Sequence, residues 1–92
     1  MDIDRSAAIS LRVLAFLADD RDRLQRFLNL TGIAPDVLAV LAPDPHFQAA
    51  VLEYLLADEP LLLEFCGNAK IDPSQPAKAL RVLTAGQKQP QS

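Results

Sequence analysis

Two stretches decide the fold: VLAFLADDRDRLQRFLNLTGIAPD, residues 13–36, and VLEYLLADEPLLLEFCGNAKIDPS, residues 51–74. Laid over one another at an offset of 38, they match Val13 with Val51, Leu14 with Leu52, Leu17 with Leu55 and Asp20 with Asp58. They also match Leu24 with Leu62, Phe27 with Phe65, Ile33 with Ile71 and Pro35 with Pro73, while Phe16 faces Tyr54. Against these eight identities in 24 positions, a Leu- and Ala-rich composition gives roughly two by chance. Each copy reads as an apolar helix, an acidic turn, a second helix and an Ile-x-Pro exit. Two units are too few for an open solenoid, which needs about three to bury its faces. The pair is expected to close on itself or on a partner.

Working outward, residues 6–18 are apolar on nearly every side, which predicts a helix enclosed by other elements. Asp20 is an N-cap for a second helix to about Leu30, with Leu24, Phe27, Leu28 and Thr31 on one stripe and Arg21, Arg23, Arg26 and Asn29 facing away. Gly32 supplies a left-handed cap, and Pro35 opens a short third helix carried by Val37 to Leu41. Asp44-Pro45 starts a fourth helix to about Ala57, as apolar as the first, and Asp58 with Pro60 starts a fifth to about Ala69. Asp72-Pro73 opens a sixth, whose regular part Pro76 is expected to delay to residues 77–84. The remainder, 85–92, reads as a disordered tail behind a single helical domain, 1–84.

A chain of 92 residues holds one core, built here from Leu, Ala and Val with five aromatic side chains and no tryptophan. The expected fold class is all-α: a compact bundle of five to six short helices in two pseudo-repeated hairpins, with helices one and four as a central apolar pair. Net charge is −3, unevenly spread. Residues 1–35 carry five Arg and five Asp, residues 36–66 six acids and no Lys or Arg, and residues 67–92 four bases and one acid. Cys66 is the one cysteine, so no intramolecular disulfide forms. The start, with Asp2, Asp4 and Arg5, lacks the pattern of a signal peptide, and no apolar run approaches the ~20 residues of a membrane span. A soluble, cytoplasmic protein is the expectation.

The segment LTGIAPDVLAVL, residues 30–41, looks like a DNA-binding helix-turn-helix. Its second helix would present Asp36, Val37, Ala39, Val40 and Ala42, none of which donates to a base edge, and Asp36 repels phosphate. Arg12, Arg21, Arg23 and Arg26 form a candidate weak phosphate-facing patch, with Lys78, Arg81 and Lys88 further on. Asp19, Asp20 and Asp22 sit among the arginines and cancel much of the field. Nucleic acid is therefore the alternative partner. Asp19/Asp20 and Asp58/Glu59 stand where helix caps belong. A lone His46 and a lone Cys66 on different helices form neither a metal site of known spacing nor a supported nucleophile pair. No serine elbow, phosphate loop or zinc signature is present, so no enzyme, cofactor or metal is expected.

The sharpest functional clue is where the copies differ: Arg23 and Gln25 of the first become Leu61 and Leu63 in the second. Leu61 and Leu63 mark a candidate protein-interaction face, covered by Leu80, Val82 and Leu83 of the C-terminal helix or by another chain, including a second copy. A protein-interaction or adaptor module presenting an apolar helix face is the leading expectation.

RVLAFLADD (12–20), RFLNLTGIAPD (26–36), DPHF (44–47) and VLEYLLADEPLLLEF (51–65) together resemble the small alphaproteobacterial proteins grouped as domain-of-unknown-function family number 3572. The likeness spans roughly residues 6–75; the basic C-terminus containing Pro76 falls outside it. It implies a bacterial, cytoplasmic, all-helical protein and carries no activity, cofactor or site residue to transfer.

Overall fold

A computed structural model describes the backbone of residues 1–87 and the side chains of residues 1–85. The described residues form six α-helices and no strand: α1 Ile3–Ala18, α2 Arg21–Thr31, α3 Leu38–Leu41 preceded by a 3-10 turn at Pro35–Val37, α4 Pro45–Leu56, α5 Glu59–Ala69 and α6 Ser74–Gln87. The all-α bundle read from the sequence is the fold.

Aspartates start the longer helices. The carboxylates of Asp2, Asp44 and Asp58 accept from the backbone N–H of Arg5, His46 and Leu61, and that of Asp20 accepts from Asp22 and Arg23, satisfying donors that the first turn leaves orphaned. Because Asp2 caps it, α1 begins three residues earlier than Ser6. Ser6 is instead a buried residue of the first turns, its hydroxyl donating to the Asp2 carbonyl at 2.9 Å.

The offset of 38 governs the architecture. α5 is α2 shifted by 38 at both ends, and α1 and α4 end at equivalent residues, Ala18 and Leu56. Equivalent residues also cap α2 and α5: Gly32 with φ 74° and Lys70 with φ 58°, both left-handed. Phe16 meets Phe65 edge to face, ring centroids 5.5 Å apart, and Phe27 meets Tyr54 in the same way at 5.0 Å. Adding 38 to Phe16 and subtracting it from Phe65 gives Tyr54 and Phe27, so one contact is the mate of the other. Reciprocal pairs of this kind are the mark of a two-fold relation. Near the axis a residue meets its own equivalent, and there the Ser10 hydroxyl donates to the Gln48 carbonyl at 3.3 Å.

Helices α1 and α4 pack on each other as expected, but they are not alone at the centre. α6 packs on both, so three helices share the middle, while α2 flanks α1 and α5 flanks α4. α6 is regular from Ser74, which corrects the expected delay at Pro76: in the first turn a missing N–H costs no helical bond. Pro76, Ala79 and Leu83 are buried along its inner stripe. It also runs to Gln87, into the stretch read as a tail from residue 85; residues 88–92 lie outside those described.

One core joins Ile9, Val13, Phe16, Leu17, Phe27, Leu28, Phe47, Val51, Leu52, Leu55 and Phe65 with Ala79 and Leu83 of α6. α1 is less enclosed than its composition suggests. Ala8, Ala15 and Ala18 are exposed and Leu11 is half exposed. Alanine gives up little by staying in water, so an apolar sequence does not force a helix into the interior on every side.

Candidate functional site

The candidate face Leu61/Leu63 divides into two directions. Residues two apart on an α-helix project about 200° from each other, so these two cannot share a face. Leu61 turns inward and packs on the core, while Leu63 is 51% exposed on the outer side of α5. The proposed cover goes elsewhere as well: Leu83 is buried, Leu80 and Val82 half-buried, in a helix that packs on α1 and α4.

The arginines sit in different surroundings. Arg23 is drawn inward, its guanidinium carbon 4.1 Å from the centre of the Phe16 ring. It donates to the Phe16 carbonyl at 3.4 Å and forms an ion pair with Glu64, tying α2 to α1 and α5. Arg12 lies on the wall of a groove between α1 and α5. Arg26 borders the outer surface of α2 with Asp22, Gln25, Asn29 and Leu30, and Arg21 is exposed on the same helix. Sequence reasoning placed Arg23 among the solvated residues because its charge was legible and its partners were not. An aromatic one helix away lies against its guanidinium, and an acid 41 residues on pairs with it.

The α1–α5 groove, about 560 Å³ and open to solvent, has Arg12, Ala15 and Asp19 on one wall and Asn68 on the other, over Phe16 and Phe65. His46 is exposed in the first turn of α4, and Cys66 is buried on α5. Burial pushes the Cys66 thiol above its ordinary pKa, with the Asp72 charge adding to the effect, which is opposite to what a nucleophilic thiolate needs. The Asp72 carboxyl is held below the usual range by the Ser74 backbone N–H, as a helix cap. Among the described residues no three His, Cys, Asp or Glu side chains gather into a metal-holding group, and no helix is long and apolar enough to cross a membrane.

Val37 and Val40, which the helix-turn-helix reading turns outward, are joined by Leu30, which the sequence did not single out, in a set of exposed apolar side chains around the passage from α2 to α3. Leu30 and Val40 are 74% and 75% exposed, and Val37 is exposed beside Val40 on the next turn. In the matching helix α5 the equivalent of Leu30 is Asn68, whereas Val37 and Val40 lie past the matched stretches. Leu63 stands in the same relation to Gln25, exposed and polar. The signal was present in the comparison of the two copies, but only exposure separates an outward leucine from a core one.

Fold and surface together define a helical bundle of two hairpins related by a pseudo-two-fold axis, carrying apolar residues on its outside. The chain belongs to the DUF3572 family, proteins of unknown function, whose family model matches residues 4–86 and so takes in α6 with its Pro76. No curated protein and no solved structure matches the chain.

Proposed function

We propose that this protein is a cytoplasmic interaction module, an adaptor that presents apolar side chains on a rigid bundle and performs no chemistry of its own. One observation supports this above the rest. At Leu30, Val37, Val40 and Leu63 the chain places large apolar residues in water, and for Leu30 and Leu63, in the matched helices α2 and α5, the equivalent position of the other hairpin carries Asn68 or Gln25. Helices α2 and α5 match residue for residue, so at Leu30 and Leu63 the same backbone site accepts a polar residue in the other copy and the fold does not require the apolar one. Each large apolar side chain left in water forgoes roughly 1.5–3 kcal/mol of burial, which contact with a partner recovers. Clusters of this kind on small helical surfaces serve helix-in-groove or groove-on-helix recognition.

A photo-reactive residue at Val40, introduced in the cells that make the protein, tests the reading. It should give adducts of discrete mass that are absent when the same residue replaces Lys78. Equal labelling at both positions, or none at Val40, overturns it.

A further inference from the structure

We infer that the groove between α1 and α5 is a self-association surface, on which a second copy of this chain lays its own α1 antiparallel about a two-fold axis near Ala15. The surface is separate from Leu30, Val37, Val40 and Leu63, and the inference stands without the adaptor reading. Arg12 and Asp19 are both exposed on the α1 wall of the groove. Seven residues is nearly two turns, so they project in almost the same direction about 10.5 Å apart. Neither is paired within the chain: among the described residues the one ion pair is Arg23–Glu64.

A helix wall bearing a cation and an anion at fixed spacing is complementary to the same wall turned end for end. An antiparallel α1 from a second copy brings its Asp19 to Arg12 and its Arg12 to Asp19, one ion pair made twice, as a closed two-fold interface requires. A partner of unrelated sequence has no reason to carry the reversed spacing, whereas a second copy carries it by construction. Ala15 lies between the two charges and lets the helices approach to the 8–10 Å typical of packed pairs. Leu11, 48% exposed one turn before Ala15, gains cover at the edge of the contact. One helix and the rim of α5 make an interface below about 1,200 Å² in total, so the dimer is weak, with Kd in the micromolar range of roughly 1–100 μM.

Sedimentation of the whole chain between about 5 and 500 μM at low salt tests this, with Arg12→Asp, Asp19→Arg and an equimolar mixture of the two variants. The wild type should pass from monomer to dimer over that range. Each reversal opposes like charges and should weaken association at least about tenfold. The mixture should recover wild-type association as a heterodimer, because every cross-pair is then of opposite sign. A reversal that disturbs the fold by circular dichroism is replaced by Arg12→Gln or Asp19→Asn, each of which should weaken association by a smaller factor. A wild type monomeric throughout, variants that associate like it, or a mixture without recovery overturns the inference.

Discussion

Phe16 of α1 sets its ring against Phe65 of α5 at 68° and 5.5 Å, and the residues 38 away from each, Tyr54 and Phe27, repeat the contact at 79° and 5.0 Å. Each hairpin thus lends an aromatic ring from its first helix to the second helix of the other, which is why neither hairpin is expected to be stable alone. Phe65→Ala and Phe27→Ala should each cost about 3–5 kcal/mol, the lost transfer energy plus the cavity left behind. Tyr54→Phe, which copies the first hairpin, should change stability by less than about 0.5 kcal/mol. Urea denaturation followed by circular dichroism measures all three. A cost below about 1 kcal/mol for Phe65→Ala would remove that ring from the core.

The left-handed caps offer a matched pair of substitutions. Gly32 has no neighbour within 4 Å of an added Cβ, so the cost of Gly32→Ala comes from the backbone alone. At φ 74° it should destabilise the chain by about 1 kcal/mol. Lys70 already bears that strain at φ 58°, and Lys70→Gly should stabilise by about 0.5 kcal/mol. Thermal melting should shift by a few degrees in opposite directions.

At Arg23 the stack on Phe16 and the pair with Glu64 make separable contributions. The Glu64 side chain is half exposed, and exposed ion pairs contribute about 0–1 kcal/mol, whereas the guanidinium over the ring adds packing that salt does not screen. Arg23→Ala should cost about 1 kcal/mol and Glu64→Gln less than about 0.5 kcal/mol. Raising the salt should leave the Arg23→Ala loss largely unchanged. A loss that disappears at high salt would assign it to the ion pair instead.

Much of this fold is legible in the residues, for reasons that mark where legibility ends. Asp20, Asp58 and Gly32 act through local backbone geometry, so they announce helix ends without knowledge of the tertiary fold. Pro76 is local too, but whether it breaks a helix or begins one depends on where the first turn falls. Asp72 fixes that position through its bond to the Ser74 N–H. Leu61 and Leu63 look like one surface in a line of text, and the helical period separates them. Arg23 and the exposure of Leu30 belong to packing between helices distant in sequence, which no local rule reports.

The Cys66 thiol gives a pH signature. Its folded pKa is raised by burial, so the protonated form contributes stability fully below the unfolded value of about 8.5 and loses it as pH rises toward the folded value. The urea midpoint should therefore fall between about pH 7.5 and pH 9.5. Cys66→Val should flatten most of that fall. An equal fall in the variant would place the titration elsewhere.

The central claim is that the outward apolar residues from the end of α2 through α3 are spare to the fold and kept for contact. The triple substitution Leu30→Asn, Val37→Gln and Val40→Lys replaces each with the polar residue found 38 positions further on. Its urea denaturation curve tests the claim most directly. The account predicts cooperative unfolding with stability within about 1 kcal/mol of the wild type, the sum of three surface changes of at most about 0.5 kcal/mol that largely offset. A loss of more than about 2 kcal/mol would show that Leu30, Val37 and Val40 serve the bundle itself and contradict the account.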